Sequence, residues 1–102
     1  AQQRDRGDVP KFIVSTSVFA PNRVAARAGA PVARLEQSDS WPAFPNTRRA
    51  LLRTIVERRI QNVVFLCGDV HCSSVAQLSF RGGGAEDLRA FSIVSSALYW
   101  PF

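Results

Sequence analysis

The chain has 102 residues, 46% of them apolar, and a formal net charge of +5 at pH 7. That length bounds it to a single domain with a modest core, and no apolar run approaches the roughly 18 residues needed to cross a membrane. Twelve arginines and one lysine carry the positive charge. They permit phosphate-bearing partners, but they are spread along the whole chain without interleaved aromatics, which disfavours a nucleic-acid groove.

In chain order, "AQQRDRGDVP" is polar and closes on Pro10, so it reads as a linker or the end of a helix. No charged start leads into a signal-like apolar stretch, and the compartment stays open. "KFIVSTSVF", Lys11 to Phe19, is β-branched and aromatic and predicts a strand with Phe12, Val14 and Val18 on its faces. Ala20 to Pro45 then holds four prolines and no sustained periodicity. A loop of that length is uncommon in a compact domain unless it is functional or belongs to a larger body.

Asn46 or Thr47 is placed to cap a following helix, Asn46–Ile60, through the free amides of its first turn. Leu51, Leu52, Ile55, Val56 and Ile60 recur at helical spacing and predict one buried face. Arg48, Arg49, Arg53, Arg58 and Arg59 occupy the other sides, as a solvated basic surface would. "QNVVFLCG" follows as a short strand with apolar residues on both faces, the mark of a parallel strand covered on both sides. "VAQLSF" and "LRAFSIVSSAL" predict two more strands, joined as a hairpin at Gly82 to Gly84. The element order is thus β, long loop, α, β, β, β.

The two ends of the sequence carry a further expectation. There is no methionine, and "SSALYWPF" is apolar where domains usually finish in polar residues. The chain therefore reads as a piece of a larger domain, and exposed strands and aromatics would make the isolated piece self-associate. Cys67 and Cys72 are too few and too close for a disulfide framework.

The chemistry concentrates in "VVFLCGDVHCSS", Val63 to Ser74, which holds the only histidine. Ligands in open α/β sheets bind beyond the carboxyl ends of the strands, and "GDVH" falls there. Gly68 allows a sharp turn or a close approach to a ligand. If the chain stays extended, Asp69 and His71 point to one side. Three readings stay open on these residues alone. Asp69 and His71 are two ligands of a metal site, or they form a hydrolase triad with Ser73 or Ser74, although sequence neighbours seldom reach relay geometry. In the third, Asp69 caps a turn and His71 is a partly buried residue bonded to backbone.

The segment "DSWPAFPNTRRALLRTI" followed by "NVVFLCGDVHCSS" resembles the PhoD-like alkaline phosphatases of the calcineurin-like metallophosphoesterase superfamily. Asp39, Trp41, Phe44, Arg48, Leu51 and Leu52 match the first part of the pattern, and Asn62 to His71 the second. "KFIVSTSVFAPN" and "SSALYWPF" are similar to family strands before and after it, so the likeness covers nearly the whole chain in order.

The resemblance implies an α/β fold that is one part of a metallophosphoesterase-type sandwich, with mixed-sheet strands and a flanking helix. Residues 1–102 would be the C-terminal portion of one catalytic domain, hence an incomplete domain. It implies a metal-dependent phosphoester hydrolase using metal-activated water, with iron, calcium, manganese or zinc as the metal. His71 is the first candidate ligand and Asp69 the second, and both are the candidate catalytic residues. Asp39, Trp41 and Arg48 are candidates for the substrate side. The family's other ligands lie in an N-terminal half outside this sequence, so the isolated chain is expected to be inactive. The alternative is a non-catalytic basic α/β module that binds nucleic acid or a partner protein through its arginine-rich helix.

Overall fold

A computed structural model describes residues 9–20, 41–68 and 73–95. They form a four-stranded mixed sheet and one α-helix. The fold is α/β, as the element order predicts. The strands are β1 (Lys11–Ser15), β2 (Val63–Cys67), β3 (Ser74–Ser79) and β4 (Arg89–Val94), and α1 spans Pro45–Glu57. A 3-10 turn, Trp41–Ala43, precedes α1.

The most apolar strand sits inside the sheet. The spatial order is β1-β2-β4-β3, with β2 parallel to both β1 and β4, while β3 pairs antiparallel with β4. The β3–β4 pair is the expected hairpin. Gly82, Gly83 and Gly84 all have positive φ in its connection, where a side chain would be strained. Ala85 and Leu88, in the turns that follow, are 2% and 1% exposed.

Register decides which residues meet. Ile13, Phe65, Ser92 and Ala76 stand in one row across the four strands, and Val63, Ala90 and Leu78 share their face. On that face Phe19, Ile55, Val63, Phe65 and Ala90 form the core, with Leu51, Leu52 and Ile60 packed against it. The helical periodicity of α1 thus delivers its apolar stripe to the sheet. Ser92, fully buried in this core, accepts a hydrogen bond from the amide of Ala20 (3.2 Å).

The opposite face is different. Its rows are Phe12, Val64, Phe91 and Gln77, then Val14, Leu66, Ile93 and Val75. Phe12, Val14 and Val75 are 63%, 81% and 72% exposed. Parallel strands are normally covered on both faces, so β2 has the apolar pattern of a two-sided strand but a covering layer on one side among the described residues. This arrangement is compatible with a partial domain.

Three boundaries differ from expectation. The first strand ends at Ser15 rather than Phe19, because the Ser15 hydroxyl donates to the Ser17 carbonyl (2.7 Å) and accepts from its amide (3.2 Å). That local loop competes with the ladder and turns Phe19 into the core. The helix starts one residue earlier than expected, and neither Asn46 nor Thr47 caps it. Phe44 holds the cap position without a side-chain bond, and Pro45 opens the first turn, where its fixed φ fits and no amide is needed. The helix stops at Glu57 rather than Ile60, where Arg59 takes a positive φ of 47°. Arg59 is held there by Gly84 O (2.7 Å) and by an ion pair with Asp87. Most of the expected loop from Ala20 to Pro45 and the last three residues of the last predicted strand lie outside the described residues.

Candidate active site

Because β1, β2 and β4 are mutually parallel, their carboxyl ends share one edge of the sheet. Ser15 stands beside Cys67, and Cys67 beside Val94. The Ser95 amide donates to Cys67 O (3.0 Å) and extends this pairing by one bond. The antiparallel β3 begins at the same edge, with Ser74 opposite Val94. Gly68 and Ser73 therefore flank the end of β4, and the "DVHC" stretch connects them.

Asp69 and His71, like Asp39, lie outside the described residues. Gly68 has no positive φ, and among the described residues a methyl group there would meet Ser95 O at an ordinary 3.8 Å. The sharp turn or close ligand approach that Gly68 allows would involve residues 69–72, which lie outside the described residues. Cys67 is buried and turned into the sheet, with its thiol directed at Ile93 O (3.8 Å). Among the described residues no group of three His, Cys, Asp or Glu side chains could hold a metal ion.

Trp41 and Arg48, the two described candidates for the substrate side, meet at Phe19. The Phe19 ring stacks on Phe65, with centroids 3.8 Å apart, and takes Trp41 edge-on at 5.0 Å. The Arg48 guanidinium lies 4.9 Å above the same ring, and its Nη2 donates to Phe19 O (3.4 Å). A cation over an aromatic face is attracted by the ring quadrupole. Desolvation by burial pushes the Arg48 pKa down from its ordinary value. Arg48 thus fastens the start of α1 to the segment after β1.

Trp41 is fixed a second time, by its Nε1–H donating to Ser15 Oγ (2.8 Å). Around it opens a cavity of about 230 Å³ lined by Ser15, Thr16, Ser17, Trp41, Phe44 and Thr47. Apart from Trp41, no residue of this cavity was singled out as a binding residue from sequence. The available signal was the hydroxyl run "STS" at the carboxyl end of a strand, which reads first as strand sequence. A wider groove on α1 is lined by Arg48, Arg49, Leu52, Arg53, Val56 and Glu57. No helix among the described residues is long and apolar enough to cross a membrane.

Comparison with known proteins adds one finding. No curated protein and no solved structure matches the chain. The family model described as PhoD-like phosphatase matches residues 5–98. That span takes in every described element, from β1 through the carboxyl edge of the sheet to β4. It favours a phosphatase-type function over a basic binding module. The chain belongs to the PhoD-like phosphatase family.

Proposed function

We propose that the chain is the C-terminal portion of one catalytic domain in a metal-dependent phosphoester hydrolase of the calcineurin-like metallophosphoesterase superfamily. The observation that carries this reading is the family match over residues 5–98. It is supported by a sheet whose parallel strands end together where Gly68 leads into Asp69 and His71, the position at which open α/β sheets gather ligands. The apolar face that no described element covers supports the partial-domain reading, since parallel strands are normally covered on both faces.

Asp69 and His71 offer a carboxylate oxygen and an imidazole nitrogen, donors that suit iron, manganese or zinc, with the oxygen also suited to calcium. The described residues do not complete a ligand set, so the remaining donors come from elsewhere in the protein. A bound metal would supply acidified water and neutralise charge on a phosphoryl group. Asp39, Trp41 and Arg48 belong to the substrate side. Arg48 acts there through Phe19, holding the segment that carries the Ser15–Ser17 turn.

Phosphate release from an aryl phosphate by the full-length protein tests this reading. Activity should vanish on chelation and in His71→Ala, survive Arg53→Ala, and be absent from residues 1–102 alone. A folded His71→Ala protein with normal turnover would remove His71 from the site. Turnover by the isolated chain would show that its own residues suffice.

A further inference from the structure

We propose that the cavity beside Trp41 receives the alcohol half of the phosphoester and selects a substrate whose alcohol carries one planar ring system. This rests on the reading above, that the carboxyl edge of β2 is the reacting edge. The cavity begins at Ser15, which is paired directly with Cys67. Neighbouring strands lie about 4.8 Å apart, so it opens one strand away from the residues that lead into Asp69. On that reading, a phosphoryl group bound beyond β2 would have this cavity as its neighbour on the β1 side.

The lining chemistry matches a ring. Trp41 and Phe44 supply two aromatic surfaces, and Phe44 is 52% exposed at the rim. The Thr16 and Thr47 hydroxyls stand at the exposed rim of the same cavity. At about 230 Å³ the space falls below the 300–1,000 Å³ of sites for drug-sized ligands. It suits one ring system rather than an extended chain of sugars or nucleotides.

Trp41 is held rigidly enough to select. Its indole is gripped by the Phe19 ring edge-on and by Ser15 Oγ. The Ser15 hydroxyl accepts from Trp41 Nε1 and from the Ser17 amide and donates to the Ser17 carbonyl. A hydroxyl has one donor and two acceptor positions, so all are in use. Ser15 is accordingly a positioning residue for Trp41 and not a nucleophile.

The test is calorimetric titration of the full-length, chelator-treated protein with phenyl phosphate and with methyl phosphate, alongside turnover of both by the metal-loaded enzyme. Phenyl phosphate should bind about tenfold more tightly, the scale of one good aromatic contact. Trp41→Leu and Phe44→Ala should each reduce that ratio several-fold. Ser15→Ala should lower it too, and Ser15→Thr, which keeps the hydroxyl, should restore it. Phe44 is at the rim, so Phe44→Ala decides the matter if Trp41→Leu fails to fold. Equal affinity for the two esters, no binding of either at millimolar concentration, or a ratio unchanged in Phe44→Ala would overturn the proposal. His71→Ala separates the two readings. If it stops turnover while the affinity ratio persists, both stand; if turnover continues, the metal-ligand reading fails and the ratio still judges the cavity.

Discussion

Phe19 is the residue whose removal should disturb the most of this structure at once. It is 1% exposed, stacks on Phe65, takes the edge of Trp41 and lies beneath the Arg48 guanidinium. An aromatic side chain buries about 150–250 Å², which at about 25 cal/mol per Å² corresponds to roughly 4–6 kcal/mol, part of which alanine retains. Adding the cavity left behind, Phe19→Ala should destabilise the fold by about 3–5 kcal/mol. A chain of this size has about 5–15 kcal/mol in all, so the variant should sit close to unfolding. Phe19→Leu keeps most of the volume and should lose less than about 2 kcal/mol. Urea unfolding followed by far-UV circular dichroism measures both, with equal m-values confirming that the unfolded states are comparable. A loss below about 1 kcal/mol for Phe19→Ala, or equal losses for the two variants, would refute Phe19 as the hub joining the sheet to α1 and the cavity.

Other expectations follow from single features. Val14→Lys, on a side chain 81% exposed, should change stability by no more than about 0.5 kcal/mol. It should also weaken self-association of the isolated chain in sedimentation velocity; unchanged association would mean that this face is not the sticky one. Gly83 has φ +64° with open space around it, so Gly83→Ala should cost about 1 kcal/mol through backbone strain alone. A thermal melt showing no loss would contradict the positive φ. The Arg59–Asp87 pair is about half exposed on both sides. Asp87→Ala should therefore cost less than about 1 kcal/mol, shrinking further in high salt.

Much of the fold could be read in the residues, and the misreadings have local causes. The run Val63–Cys67 announced a central parallel strand because both of its faces are apolar. The stripe from Leu51 to Ile60 announced a helix on the core, and the glycine triplet announced a hairpin. The end of β1 was misplaced because Thr16 to Phe19 continue the β-branched and aromatic pattern, while the Ser15 hydroxyl captures its own backbone two residues on. The cap was misplaced because Asn46 and Thr47 are better capping residues than Phe44, yet Pro45 fixes the first turn around itself. Phe12 and Val14 looked like ordinary strand residues. Only the register across the sheet shows that they share one face, which no described element covers.

The candidate site is legible in a different way. Gly-Asp-Val-His after an apolar strand is a local signal and needs no tertiary information. The cavity beside Trp41 is assembled from Ser15 to Ser17 and from Trp41 to Thr47, which are separated by more than twenty residues of sequence. Its components are common residue types at ordinary spacing. Proximity, rather than pattern, makes them a cavity, and proximity comes from Phe19 gripping both segments.

The central claim is that His71 and Asp69 bind metal at the carboxyl edge of β2. Elemental analysis of the purified full-length protein and its His71→Ala variant, with circular dichroism to verify folding, tests it most directly. Loss of at least one metal equivalent from a folded His71→Ala protein, together with loss of phosphate release, is the predicted result. Unchanged metal content would return Gly-Asp-Val-His to a structural turn and contradict the assignment.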